Sequence, residues 1–221
     1  MLKYFVLREY LKKPLVHLIL IAAVGLIVYS NTFNVPFQWD DKYLIVGNPI
    51  VEDIDYFLQP SRSSGFGEYY YAFKSRYVGY LTFALNYRIH GLDVRGYHVV
   101  NLSIHLMNAI LVYMLVVLTF RTPFLNGSSL SGHFRYIALF TGLLFVSHPV
   151  QTEAVTYIFQ RLASLAAFFY LLSIVLYIKW RLPPPLSPLT LRGDKGGLLY
   201  LLSLLSAVLA MKTKENAFTL P

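Results

Sequence analysis

The chain has 221 residues, of which 56% are apolar and 14% charged, with a mean hydropathy of +0.52. That balance excludes an ordinary soluble domain, because the apolar residues are gathered into blocks instead of being dispersed. The absence of cysteine excludes disulfides, thiolate chemistry and Cys-based metal sites. The formal charge of +8 is spread over several loops and forms no patch of the kind nucleic acid requires.

The first apolar block covers residues 15–29 and follows Lys3, Arg8, Lys12 and Lys13, which place the N-terminus in the cytoplasm. Val28-Tyr-Ser30 resembles a cleavage site, but the block is at the long limit for a signal peptide, so an uncleaved anchor is expected. Further blocks predict spans at about 99–120, 134–150, 155–180 and 196–211, after a first span at 15–32. The second and fourth are long enough to cross about 30 Å of hydrocarbon unaided; the third and fifth need flanking residues to extend them. The predicted class is an all-α polytopic membrane protein with about five transmembrane helices. Alternation puts 33–97, the turn 147–154 and the end of the chain outside. The two inner loops are basic, with Arg121 and Arg135 in one and Arg181, Arg192 and Lys195 in the other. The setting is consistent with a bacterial inner membrane.

A loop as long as 33–97 is usually functional. Tyr77, Tyr80, Leu81, Ala84 and Leu85 recur at three- and four-residue spacing and predict an interfacial helix ending near Gly91. A shorter helical turn is expected over 51–58, and a mobile loop over 61–67. The cluster Tyr69-Tyr-Tyr-Ala-Phe73 is either an interface belt or a surface for stacking a sugar ring. Before these lies the acid pair Asp40 and Asp41, a few residues beyond the first span. A carboxylate where water, headgroups and protein meet suits a general base or a cation ligand, and the alternative is a solvated pair in a loop.

The second span carries His98, Asn101, His105 and Asn108 on one narrow helical face. That face should point into the bundle, lining a wet cavity or hydrogen-bonding to other helices. In the fourth span Glu153, Tyr157, Gln160, Arg161 and Ser164 are expected to share a face. Arg161 would lie about two turns below the surface and would need either a polar cavity or an anionic partner, for which Glu153 and a lipid phosphate are the candidates. Residues 182–188, with four prolines, predict a polyproline-like spacer. Lys212 and Lys214 fall on the outer rim, against the usual bias, so either the topology slips by a span or these lysines serve a site. Lys214 suits a phosphate as a point charge.

Five stretches then carry a family resemblance: Phe37-Gln-Trp-Asp-Asp41 with Asn48-Pro-Ile-Val51; Gly96-Tyr-His-Val-Val-Asn101 with His105; His148-Pro-Val-Gln-Thr-Glu-Ala-Val155 with Arg161; and Lys214-Glu215 before Pro221. Together they resemble the front part of a GT-C class multispan glycosyltransferase, most nearly the transmembrane, tetratricopeptide-repeat-containing O-mannosyltransferase family. The resemblance implies transfer of a mannose-like sugar from a polyprenyl-phosphate donor to an acceptor hydroxyl, on protein, at the extracytoplasmic face. It implies Asp40 or Asp41 as the base, and His148, Glu153, Arg161, Lys214 and Glu215 around the donor phosphate. His98, Asn101 and His105 would line the cavity, and no metal or cofactor is implied. Ser75-Arg-Tyr-Val-Gly79 departs from the family's Tyr-Arg-Pro-like sequence, which leaves Arg76 without an expected role. The class has about twice as many spans, so an incomplete, truncated unit is expected. A transporter or channel fragment, or a non-catalytic membrane assembly subunit, is the alternative.

Overall fold

Pro14 opens the first helix, α1 (Pro14–Val28), at the position where a missing N–H costs nothing and a fixed φ already suits the helix. The structure is a computed structural model that describes residues 13–182 and 193–219. The expected spacer after Leu182 and the basic residues Lys3, Arg8, Lys12 and Arg192 lie outside the described residues. The elements that follow α1 are α2 (Pro49–Glu52), α3 (Asp55–Leu58), α4 (Glu68–Ser75), α5 (Tyr77–His90) and α6 (Val94–Thr119). Then come α7 (Pro123–Asn126), α8 (Phe134–Ser147), α9 (Thr152–Thr156), α10 (Arg161–Arg181) and α11 (Gly193–Met211). Among the described residues there is no strand, so the fold is all-α.

Two helices, Val94–Thr119 and Ile158–Arg181, are long and apolar enough to cross a membrane; Pro14–Val28 and Gly196–Met211 are apolar but shorter. Helix α6 is the axis of the bundle. It packs against α1, α8 and α10, and α11 lies along α10. Ile21, Ala109, Tyr113, Ala138 and Val146 form the core where α1, α6 and α8 meet. Small residues set that spacing, as is common between apolar helices. A Cβ at Gly25 would collide with the Leu106 and Val146 side chains, and one at Gly142 would meet Ile21 at 2.7 Å.

Residues 33–93 fold as a cap over one end of the bundle. Asn48 caps α2 by accepting the Ile50 N–H at 3.0 Å, and Asp93 caps α6 by accepting the Arg95 N–H at 3.0 Å. Gly91 stops α5 at φ +57, a conformation that glycine adopts without strain. Helix α5 buries Gly79, Tyr80, Phe83, Ala84 and Asn86, so it sits within the cap and does not merely lie along a surface. The segment expected to be a mobile loop is a 3₁₀ turn, Pro60–Phe66, with Ser63 buried and donating to the Pro60 carbonyl at 2.7 Å.

The fourth apolar run differs most from expectation. It is not one helix from 155. After α9, Tyr157 is extended (φ −91, ψ 110), Ile158–Gln160 form a 3₁₀ turn, and α10 begins at Arg161. Glu153 and Arg161 therefore do not share a helical face. Substituting Gly25 by Leu is expected to force α1 away from α6 and α8 and cost about 1–3 kcal/mol by overpacking. Thermal unfolding in detergent should register that loss, while Gly127→Ala, which meets nothing within 4 Å, should leave the midpoint unchanged.

Candidate active site at one end of the bundle

Arg161, the first residue of α10, is 0% exposed. Its Nε donates to Asn101 Oδ1 at 2.7 Å, and Nη1 to the Thr82 carbonyl at 3.2 Å. Nη2 donates to Asn86 Oδ1 at 2.8 Å and to the Tyr97 carbonyl at 3.0 Å. The guanidinium carbon lies 4.6 Å from the Phe83 ring centroid and 5.4 Å from that of Tyr97, close enough for cation–π attraction. A buried charge is tolerated when protein dipoles replace its lost water, and here four oxygens and two aromatic faces do so. The expected partners are corrected accordingly. Glu153 is exposed and makes no bond to Arg161, whose three nitrogens all donate to protein oxygens instead.

The polar face of α6 serves the same junction. His98 Nε2 donates to the Val35 carbonyl at 2.8 Å, and Asn101 Nδ2 donates to the Val155 and Ile158 carbonyls at 3.4 and 3.3 Å. His105 Nε2 donates to the Val146 carbonyl at 3.2 Å, and Asn108 Nδ2 to that of Ser164 at 2.9 Å. Val146, Val155 and Ile158 lie near helix ends, where carbonyls lack partners in their own helix. His98, Asn101 and His105 are buried and donate to backbone carbonyls, the pattern of the helix-to-helix bonding alternative.

The two adjacent acids have separate environments. Asp41 is 1% exposed. Its Oδ1 accepts the Phe159 N–H at 2.7 Å and its Oδ2 accepts the Gln38 N–H at 3.0 Å, so it ties the cap to the 3₁₀ turn before α10. Burial pushes its carboxyl above the ordinary value, against backbone N–H bonds that lower it. The same clamp closes a tight turn in which Trp39 takes φ +44, a strained value for a bulky residue that costs about 1–3 kcal/mol. Asp40 follows and is exposed. It lines a cleft of about 210 Å³ with Arg76, Tyr157, Phe159, Gln160, Leu162 and Lys214. The Tyr157 hydroxyl meets both the side chain and the backbone of Asp40, and burial together with that carboxylate raises the phenol's pKa.

The C-terminal segment closes the cleft. The Val78 N–H donates to the Lys212 carbonyl at 3.1 Å, and Arg76 Nε donates to both oxygens of Glu215, at 2.9 and 3.1 Å. Lys214 also lines a second, apolar groove of about 380 Å³, with Ala163, Ala166, Ala167, Tyr170 and Leu171 of α10 along one wall. Of the predicted site residues, the structure thus brings Asp40 and Lys214 together and sets Glu215 against Arg76 beside them. His148 and Glu153 are exposed and do not line the cleft; His148 Nδ1 accepts the Val150 N–H at 3.2 Å. Arg76 and Tyr157 join the site without having been singled out for it, since contacts across more than a hundred residues leave no local pattern.

An exposed carboxylate and a lysine thus line one small cleft of an all-α protein, and the lysine also borders an apolar groove. The chain is 33% identical over 171 residues to protein O-mannosyl-transferase F38B6.6 of Caenorhabditis elegans, covering 75% of this chain and 23% of that protein. It is 32% identical over 170 residues to protein O-mannosyl-transferase TMTC2 of Mus musculus, covering 72% of this chain and 18% of the relative. With protein O-mannosyl-transferase TMTC1 of Homo sapiens the identity is 29% over 214 residues, or 90% and 22% of the two chains. The chain belongs to the TMTC-like protein O-mannosyl-transferase family, and it spans about a quarter or less of the length of these relatives. No protein-family model matches the chain, and no solved structure does.

Arg161→Met would leave the side-chain oxygens of Asn86 and Asn101 without their donor, at about 1–3 kcal/mol for each left unpaired, while the Thr82 and Tyr97 carbonyls keep their helical partners. The expected result is a far larger fall in the detergent melting midpoint than Lys214→Met gives. The Arg76–Glu215 pair should depend on pH. Partial burial raises the Glu215 pKa, but bonds from its own backbone N–H and from Arg76 outweigh that and hold it below the ordinary value. A depressed carboxylate contributes stability above its unfolded pKa and loses it as pH falls through the folded one. The melting difference between wild type and Glu215→Ala should therefore be full at neutral pH and shrink on acidification through the lowered glutamate range.

Proposed function

We propose that this chain supplies the catalytic end of a multi-pass membrane glycosyltransferase. In this reading a mannose-like sugar passes from a polyprenyl-phosphate donor to a protein hydroxyl on the extracytoplasmic side. The N-terminus is cytoplasmic, and in a bacterial cell the membrane is the inner one. The observation that carries the reading is that Lys214 lines both the polar cleft of Asp40 and the apolar groove along α10. A lipid-linked sugar has this same division: an apolar tail, a phosphate at the junction and a polar sugar beyond it. From Ala163 to Leu171 the groove wall runs about 12 Å along the helix, room for the first part of such a tail. The names of the relatives, protein O-mannosyl-transferases, support the sugar and the acceptor class.

Asp40 is the base. It is exposed in the cleft, whereas Asp41 has both oxygens held by backbone N–H groups. Asp40 takes the proton of the acceptor hydroxyl as its oxygen bonds to the anomeric carbon. The bond from that carbon to the phosphate oxygen breaks, and polyprenyl phosphate leaves with the electron pair. Charge then grows on the leaving oxygen, where the Lys214 ammonium stabilises it.

The test is transfer of labelled mannose from polyprenyl phosphate to a Ser/Thr peptide by the protein in nanodiscs. Asp40→Asn should lower the rate about 10²–10⁴-fold and leave the melting midpoint in place. Asp41→Asn should instead cost about 1–3 kcal/mol of stability, because its amide would point a donor at a backbone donor. Undiminished transfer by Asp40→Asn would remove the general-base assignment.

A further inference from the structure

The cleft contains a second cation. Arg76 lies at the break between α4 and α5, with φ −118 and ψ 37, and lines the cleft beside Lys214. A guanidinium carries five N–H donors in a rigid fork. Only Nε is engaged, by the two oxygens of Glu215, and neither Nη atom bonds to any described residue. The four remaining donors are of the kind that grips two oxyanions at once. Glu215 does not line the cleft, and its side chain is 46% exposed against 29% for Arg76, so water screens its charge more than that of its partner. The charged groups that do line the cleft are two cations, Arg76 and Lys214, and one anion, Asp40. With Lys214 alone, Asp40 would cancel its charge, and an incoming phosphate would gain little.

We propose that Arg76 and Lys214 together bind the phosphoryl oxygens of a lipid-linked phosphate, with Glu215 as a positioning residue that holds the guanidinium by Nε and leaves its terminal amines free. This rests on the reading of the cleft as a donor site, and it gives Glu215 a role one step removed from the phosphate it was expected to contact. The two halves of one ion pair then have opposite effects on the ligand. Removing Arg76 removes attraction. Removing the charge of Glu215, with an amide oxygen left to accept from Nε, removes repulsion and keeps the orientation.

The experiment measures binding of polyprenyl phosphate to the protein in nanodiscs, with Arg76→Gln, Arg76→Lys and Glu215→Gln beside wild type and melting midpoints recorded for each. Arg76→Gln is expected to weaken binding tenfold or more, and Glu215→Gln to leave it unchanged or tighten it. Arg76→Lys, which keeps the charge and loses the fork, should fall between wild type and Arg76→Gln, and it decides the matter if Arg76→Gln does not fold. Equal weakening by Arg76→Gln and Glu215→Gln would mean a purely structural clasp and overturn the proposal. Inorganic phosphate serves as competitor to separate the sources of the phosphate. Tighter binding of the lipid than of the ion supports a lipid-linked ligand, and equal affinity overturns that part. Because no turnover is needed, loss of the transferase reading alone would show as the expected binding pattern without sugar transfer.

Discussion

A guanidinium with no access to water has to be solvated by the protein itself, and Arg161, at the start of a third helix, is solvated by groups from two others. Thr82 and Asn86 come from α5, Tyr97 and Asn101 from α6, and Arg161 from the start of α10. Few other arrangements of these helices would satisfy it, since each unmet donor or acceptor at that depth carries a penalty of about 1–3 kcal/mol. The charge thus specifies how the cap of residues 33–93 sits on the bundle. It does so through neutral oxygens and ring faces, with no hydrogen bond from Arg161 to a carboxylate among the described residues.

The placement of Arg161 also explains why the helix is interrupted before it. The turn Ile158–Gln160 hangs between the guanidinium below and the Asp41 clamp on Phe159 above. Asn101 answers the carbonyls that the interruption frees at Val155 and Ile158. A straight helix through 155–161 would have removed the Asp41 clamp. As built, the break places Tyr157, Phe159 and Gln160 on the wall of the cleft, facing Asp40 from one side while Arg76 and Lys214 meet it from others. Two acids adjacent in sequence therefore separate into one that holds the backbone and one that is exposed in the cleft.

Much of the helical framework was legible in the apolar runs, because a block of such residues has few other ways to satisfy its backbone. The face made by His98, Asn101, His105 and Asn108 could be read from spacing alone, but not its targets, which are carbonyls 41 to 63 residues away. The break at Tyr157 was invisible for a related reason. No glycine or proline lies between Val155 and Arg161, and the cause is a carboxylate 118 residues earlier. Lys214 was legible as an anomaly, a lysine on the wrong side of the expected topology. Arg76 was given no role because its surroundings depart from the family's Tyr-Arg-Pro-like sequence, and the partner that would have drawn attention to it stands 139 residues away.

Everything functional here depends on the cap, the turn before α10 and the C-terminal segment meeting in one cleft. The absence of native cysteine makes proximity directly measurable. Cysteines placed at Asp40 and Lys214 should be bridged rapidly by a short bifunctional maleimide, and the pair His148 with Lys214 should not be. Ready bridging of the second pair, or none of the first while both sites still label singly, would contradict the account.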